Sequence, residues 1–294
     1  MIKQTTLSLT FFVGFSSALY AQSFYLKLGG GYAFPFASEV VGTRHDDQSH
    51  LTTNPETGFY DLTSLDSRQS VVRGTFGTGA TPSLTLGYEF NDRIAAEIGL
   101  GYVVGPHYDF ASIDEEVIDR EDVRYSTRRG QSWHARHAFI APSVKFIAGQ
   151  GKLQPYVTAG PVLAMASIEA SHDYYSNYHK DPESSETVEE YKGGIALGAR
   201  GGAGVDLKLS NSFYLFSEVV FTGMSYYPAE REILKYTVNG EDHMNTLPRS
   251  ERFKHFVKNK NRSTGAGQYA GSEELQVQFN MNSLAATIGI KVMI

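Results

Sequence analysis

Serines, histidines and acids are the side chains that could form a Ser–His–acid catalytic site, and the chain contains no cysteine. That absence excludes a thiol nucleophile, a disulfide scaffold and a Cys-ligated zinc site. His134 and His137, with Ser132 or Ser143, are groups that a Ser–His enzyme uses. Neither a G-x-S-x-G elbow nor a phosphate-binding loop accompanies them. We therefore predict no catalytic residue and no cofactor.

Metal-ligating residue types are also present, but their spacing matches no known site. His45, Asp46 and Asp47 are consecutive, and His50 follows. Such close spacing without a helix is weak evidence for a metal. A second acidic segment, 114–122, lacks the alternating ligand pattern of a calcium loop. We interpret both segments as solvated surface and predict no metal site.

A basic segment at 249–262 carries six cations against one acid, Glu251. Phe253, Phe256 and Val257 follow helical spacing, which predicts a short helix with one apolar face and a basic rim. Basic amphipathic helices bind anionic lipid surfaces, whereas a basic loop without a partner is the alternative. The residues predicted to contact anionic lipid are Arg249, Arg252, Lys254, Lys258, Lys260 and Arg262.

The amino terminus has the three parts of a secretory signal. Lys3 supplies a positive charge, residues 7–19 form a short apolar core, and Ala21 is a plausible last residue before cleavage. We expect residues 1–21 to be a signal peptide and 22–294 to be the folded domain. The formal net charge of -6 argues against a partner made of nucleic acid.

Eight stretches of the remaining chain alternate apolar and polar residues, as half-buried strands do. They cover residues 24–37, 80–90, 93–104, 135–148, 154–168, 193–209, 213–226 and 275–294. Long gaps and short turns alternate between them, which predicts an up-and-down antiparallel sheet with all its long loops at one end. We expect bulges at Pro142 and Pro161 and another near 280–283.

The alternating stretches carry bulky apolar residues on one face and small or charged residues on the other. Ile94, Ile98 and Leu100, for example, share the face opposite Glu97 and Gly99. A water-soluble barrel needs its apolar face inside, and an interior of glycine and charge cannot form an oily core. The pattern therefore predicts that the apolar face meets lipid and the small face lines a narrow lumen, within a closed sheet that pairs its backbone groups.

Alternation places a balanced set of charges in that lumen, four positive and four negative. A charge in a narrow, poorly hydrated space is costly unless it is paired, so we predict a salt-bridged plug. The predicted lumen network comprises Lys27, Glu89, Glu97, Lys145, Arg200, Asp206, Glu218 and Lys291. A catalytic carboxylate pair of Glu89 and Glu97 is the alternative, but a balanced set needs no chemistry to explain it.

Aromatic residues cluster at both ends of the stretches, as the girdles of membrane proteins do at the two interfaces. The short-turn end carries Phe24, Tyr88, Phe90, Phe146 and Phe213. The long-loop end carries Phe34, Phe36, Tyr102, Phe221, Tyr226 and Tyr227.

The export signal, the eight alternating stretches, the glycine-rich first stretch (YLKLGGGY at 25–32) and a last stretch that reaches Ile294 resemble the small outer-membrane β-barrels of the OmpA/OmpX type. The resemblance implies an all-β fold, an eight-stranded antiparallel up-and-down transmembrane β-barrel with four long extracellular loops and short periplasmic turns. It implies location in the cell outer membrane of a Gram-negative-type bacterium, after export through the secretory pathway.

The same resemblance implies partners. These are outer-membrane lipid and lipopolysaccharide around the barrel, and the assembly machinery at the carboxyl-terminal strand. Many members end in an aromatic residue, whereas this chain ends in Ile294, so that assembly signal is only partly matched. We expect a monomer.

Three functions are compatible with this sequence. The leading one is a non-enzymatic outer-membrane protein with a plugged polar lumen, whose surface loops serve envelope integrity, adhesion or surface contact. A narrow transporter of small apolar molecules is the first alternative, and Pro142 and Pro161 could weaken its wall. A rim-sited lipid A hydrolase or acyltransferase using the histidines and serines above is the second.

Overall fold

The computed structural model describes residues 23–53, 56–57, 60–118, 123–177, 182–258 and 273–294. The predicted signal peptide, residues 1–21, therefore lies outside the described residues, as do Lys260 and Arg262 of the basic segment. Within the described ranges, no helix is long and apolar enough to cross a membrane.

The described residues form one sheet of sixteen strands, mostly antiparallel. The strands are β1 Ser23–Pro35, β2 Glu39–Thr53, β3 Tyr60–Gly74, β4 Gly79–Asn91, β5 Ile94–Ile118, β6 Val123–Ile147, β7 Leu153–Ser176, β8 Glu183–Lys192, β9 Ala196–Lys208, β10 Phe213–Tyr226, β11 Glu230–Val238, β12 Glu241–Asp242, β13 Phe253–Val257, β14 Glu273–Leu275, β15 Phe279–Asn280 and β16 Ser283–Met293. A 3-10 turn at Met244–Thr246 and a four-residue helix, α1 Arg249–Arg252, interrupt them.

Eight of these strands are paired in a cycle, which we call the ring. β1 pairs with β4 and with β16, and the pairing continues from β4 through β5, β6, β7, β9 and β10 to β16. Tight turns join several neighbours. Asn91 Oδ1, for instance, accepts hydrogen bonds from the backbone N–H groups of Arg93 and Ile94, at 2.9 and 3.0 Å. Asparagine favours such turns because its side chain can hydrogen-bond the backbone two residues on.

The number of strands differs from the prediction, because eight were expected and sixteen are present. Apart from β15, the additional strands lie mainly in segments that were expected to be long loops, and β5, β6 and β7 also continue well beyond their predicted ends. We call the paired segments beyond the ring the outer sheet; it comprises β2, β3, β8, β11, β12, β13 and β14 with the outer parts of β5, β6 and β7. Polar side chains occupy both faces of much of this sheet, so alternation could not reveal it.

Two expected irregularities also differ from the prediction. β6 and β7 keep one register on both sides of Pro142 and Pro161, but residues 141–143 and 160–162 are not paired with each other. The two prolines lie opposite each other, and neither can donate an N–H to the ladder, so the result is a gap rather than a bulge. The last predicted stretch is divided among β14, β15 and β16. The bulge expected near 280–283 is absent from this described segment, because β10 pairs with β15 and β16 in one register, within which the Met281 N–H donates to the Met224 carbonyl.

Apolar side chains of the ring point outward. Leu28, Leu197 and Ile288 are 65%, 66% and 70% exposed, whereas Lys145 and Lys291 are 0% and 1% exposed. This is the reverse of a water-soluble protein, in which charged side chains are rarely fully buried. Tyr226 departs from the predicted girdle, because it is buried and adjacent residues of a strand cannot share a face. Its hydroxyl oxygen lies 2.8 Å from the Ala166 carbonyl oxygen and 2.7 Å from that of Gly193, and its single hydrogen can be donated to either.

Candidate functional site

The interior of the ring holds a continuous chain of opposite charges. At one end Lys27 Nζ lies 3.3 Å from Glu218 Oε2 and 3.5 Å from Glu97 Oε1. Glu97 in turn lies 3.8 Å from Lys145 Nζ, and Lys145 is 2.8 Å from Asp206 Oδ2. Each of these five side chains is at least nine-tenths buried, so the pairing offsets part of a large desolvation cost.

Lys291 extends the chain to its other end. Its Nζ lies 3.3 Å from Asp206 Oδ2 and 2.7 Å from Glu89 Oε1. Asp206 therefore serves two lysines through one oxygen. We call the seven linked residues the charge chain; they are Glu218, Lys27, Glu97, Lys145, Asp206, Lys291 and Glu89.

Arg200, the eighth residue of the predicted lumen network, stands apart from the charge chain. Its guanidinium carbon lies 4.8 Å from the centre of the Phe139 ring, a cation–π distance, and it forms no ion pair within the described part of the chain. Two small cavities adjoin it, of about 40 and 20 Å³. Cavities of this size hold one water or a pair of them.

Two tyrosines hydrogen-bond to members of the charge chain, and neither was predicted from the sequence. Tyr25 donates its hydroxyl hydrogen to Glu97 Oε1 at 2.6 Å, and Tyr156 donates to Glu218 Oε2 at 2.8 Å. Lys145 Nζ lies 3.8 Å from the centre of the Tyr156 ring. The available signal was parity, because Tyr25 and Lys27 are two residues apart and so share a face of the strand.

An aromatic cluster lies beyond the charge chain, where the outer sheet begins. Phe279 lies at its centre, with ring centroids 5.2 Å from Phe76, 5.9 Å from Trp133 and 5.5 Å from Tyr191. Phe256 stacks on Tyr191 from the side of β13. A cavity of about 180 Å³ opens beside Phe76, Trp133 and Phe279.

Ion pairs of the outer sheet adjoin this aromatic cluster at Tyr191, whose hydroxyl donates to Glu189 Oε2 at 3.1 Å. Arg231 bridges Glu189 and Glu274 at 3.1 and 3.3 Å. Burial alone would lower the pKa of Arg231, but the two carboxylates outweigh it and raise that pKa. Burial, helped by the Glu189 carboxylate, raises the pKa of Tyr191 to about 12. Both pKa values move further above neutral pH, so Arg231 stays charged and Tyr191 stays neutral there. Neither group is therefore suited to proton transfer near neutral pH.

The candidate catalytic residues are not assembled into a triad. His134 stacks on His107, with ring centroids 4.5 Å apart, while buried His137 lies on the opposite face of β6. Within the described residues neither histidine hydrogen-bonds Ser132 or Ser143, and the buried Nδ1 atom of each has no hydrogen-bond partner. A Ser–His mechanism needs that hydrogen bond, although it is often loose before substrate binds.

The structure separates the four residues of 45–50 that were considered as metal ligands, and it brings Asp114 of the second acidic segment to two of them. His45 and Asp47 lie on one face of β2, and their side chains meet at 2.6 Å between Nε2 and Oδ2. Asp46 and His50 occupy positions on the other face of β2, because successive residues of a strand alternate between its two faces. Asp114 of β5 joins His45 and Asp47 in space. A hydrogen bond from Ser67, and a second from His45, hold the pKa of Asp47 below its usual value.

The basic segment does not form the predicted amphipathic helix. Only α1 Arg249–Arg252 is helical, and Phe253, Phe256 and Val257 belong to β13, which pairs with β11 and β14. Four residues are too few for a stable helix, so pairing with neighbouring strands prevails. Arg249, Arg252, Lys254 and Lys258 are described, and the remaining two cations lie outside the described residues.

No family model matches the chain, and no curated protein does. Solved structures resemble it loosely. Outer membrane protein OprG from Pseudomonas aeruginosa superposes with a TM-score of 0.44 at 11% identity, over 93% of this chain and 96% of that one. CarO2 from Acinetobacter baumannii gives 0.27 at 13%, over 92% and 99%, and the outer membrane protease OmpT from Escherichia coli gives 0.31 at 8%, over 92% and 97%. Likenesses at this level establish neither a family nor an activity.

Proposed function

We propose that this chain is an integral outer-membrane protein of a Gram-negative-type bacterium, in which the eight ring strands form a transmembrane β-barrel closed by the charge chain. The observation that carries the proposal is the reversed amphipathicity of the ring. Leu28, Leu197 and Ile288 are exposed on its outside, and Lys145 and Lys291 are buried within it. In water this arrangement would expose a large apolar belt, whereas in a bilayer it buries that belt in lipid.

The charge chain makes this barrel a plug rather than a pore. An open channel would leave its lining charges hydrated, but Lys27, Lys145 and Asp206 are almost fully buried against one another. Eight strands enclose a space that side chains fill. The outer sheet is then the surface that serves envelope integrity, adhesion or surface contact, and it has no catalytic role.

The cations of the basic segment support a contact with lipopolysaccharide. Arg249 and Arg252 lie on α1, next to β13 at the margin of the outer sheet. Phosphate groups pair with such cations in a salt-dependent way. Replacing all six cations by glutamine should abolish binding to lipopolysaccharide vesicles at low salt, and undiminished binding by that variant would remove this part of the proposal.

Fractionation and conductance together test the main proposal. The protein, expressed with its own amino-terminal segment, should remain in outer membranes after extraction with urea, and should migrate differently on gels before and after heating. Reconstituted into planar bilayers it should give no discrete current steps. Release by urea would overturn the membrane location, whereas regular current steps would overturn the plug.

The gap in the wall favours a second function, lateral release of small apolar molecules. Pro142 and Pro161 leave β6 and β7 unpaired over three residues. The interior cavity of about 40 Å³ is lined by Pro142 and Ser143 at that place, and by Glu97 and Arg200 of the flanking strands β5 and β9. Gly160 keeps the gap narrow, because even a Cβ there would lie 2.0 Å from the Pro142 carbonyl oxygen.

Uptake into vesicles distinguishes this second function from the first. A lateral path predicts that the double variant Pro142→Val/Pro161→Val, which restores both N–H donors, closes the wall and slows uptake of a small apolar dye. Equal uptake by the variant, or by vesicles without protein, would exclude the path. Gel migration before heating confirms that the variant has folded.

A further inference from the structure

The parallel pairing of β2 with β5 brings three metal-ligating side chains together. His45 lies opposite Ser112, and Asp47 lies opposite Asp114. One ligand atom from each of His45, Asp47 and Asp114 lies within 4.8 Å of the other two. His45 and Asp47 are close in the sequence, but Asp114 lies 67 positions after Asp47. The pairing of strands in the outer sheet, and not a local motif, therefore creates this arrangement.

We propose that His45, Asp47 and Asp114 bind a divalent metal ion of the zinc class, which joins the β2–β3 hairpin to the outer part of β5. One imidazole nitrogen and two carboxylate oxygens are donors that zinc accepts, and a site with three protein ligands leaves a position for water. The site lies on the outer sheet and does not depend on where the ring resides.

The carboxylate of Asp47 has one oxygen atom that the observed hydrogen bonds do not satisfy and that a metal ion could bind. Its Oδ2 is 2.6 Å from His45 Nε2, whereas its Oδ1 is buried and has no hydrogen-bond partner within the described ranges. A buried carboxylate oxygen without a donor is costly, and a cation would satisfy it. The side chains of His45 and Asp47 are 34% and 30% exposed, which gives an ion access from solvent.

One cation competes with the metal for this site. The guanidinium of Arg129 lies 3.6 Å from Asp114 Oδ2, across the β5–β6 pair. Both side chains are about half exposed, so the pair is weak and can separate. An ion that takes Asp114 must displace Arg129, and removing this arginine should therefore strengthen metal binding.

Calorimetric titration of ZnCl₂ into the untagged, metal-stripped protein in detergent tests the site. We expect one equivalent to bind, and His45→Gln, Asp47→Asn and Asp114→Asn each to weaken binding by at least about tenfold, as loss of a ligand should cost no less than loss of a supporting group. Asp46→Asn is the matched control, because it removes the same charge one residue away on the other face of β2 and should leave binding unchanged.

Arg129→Gln provides a gain of binding that misfolding cannot imitate. We expect it to bind ZnCl₂ more tightly than the unmodified protein, with the same stoichiometry. Absence of binding by the unmodified protein would overturn the proposal. Binding that persists in Asp47→Asn would show that other histidines hold the ion, and equal weakening by Asp46→Asn would show an effect of charge alone; either result also overturns it.

Discussion

The ring interior and the outer sheet use the same alternating backbone with opposite chemistry. In the ring, Lys145, Asp206 and Lys291 are buried and the apolar side chains are exposed. In the outer sheet, Phe110 and Ile233 are buried, and ion pairs such as Lys235–Glu186 are exposed. One side of every strand must face the surroundings, so the inverted chemistry of the ring indicates surroundings that are themselves apolar.

The two regions should consequently lose stability for different reasons. The charge chain is expensive to desolvate, so its net contribution is modest, but removing one member leaves another charge buried without a partner. The aromatic cluster is held by packing, and its loss creates a cavity. Substitutions in each region therefore sharpen the comparison.

Asp206→Ala should have the largest effect. It leaves Lys145 without its 2.8 Å partner and removes one of two partners from Lys291. Breaking a buried pair in this way costs about 3–5 kcal/mol. The midpoint of the heat-induced change in gel migration should fall strongly, and an unchanged midpoint would show that the interior is hydrated.

Phe279→Ala should cost about 3 kcal/mol, because a large-to-small substitution leaves a cavity that the surroundings fill only in part. We expect the loss of stability to be confined to the outer sheet. Phe279 contacts the rings of Phe76, Trp133 and Tyr191. Hydrogen exchange should accelerate in β8 and β11, while the ring strands keep their protection. Equal acceleration in β1 and β16 would show that the two regions unfold as one unit.

The ring and the outer sheet also differ in how well the sequence predicts them. The observed limits of β4 and β10 lie within a residue or so of those predicted, because strict alternation marks them. Alternation assigns Lys27 and Glu97 to inward positions, but which acid meets which lysine depends on the register of strands distant in sequence. The pairing of Asp47 with Asp114 is hidden for the same reason.

Tyr191→Phe tests the electrostatics of the outer sheet through pH. Because the pKa of Tyr191 is raised to about 12 from 10.0, the folded state holds this proton more tightly than the unfolded state. Its contribution is complete below pH 10 and is lost as the pH rises from 10 towards 12. The unmodified protein should lose thermal stability more steeply than the variant across that window, and parallel curves would contradict the assignment.

Glu186→Ala should have the smallest effect and serves as the control for Asp206→Ala. Glu186 lies 2.7 Å from Lys235, which is shorter than the pair between Lys145 and Asp206, yet both members are more than a third exposed. Water screens such a pair, so its removal should cost about 0–1 kcal/mol and less at high salt. The same heat-modified migration measures both variants. If distance rather than burial determined the strength of an ion pair, Glu186→Ala would be as damaging as Asp206→Ala, and the distinction between the two regions would fail.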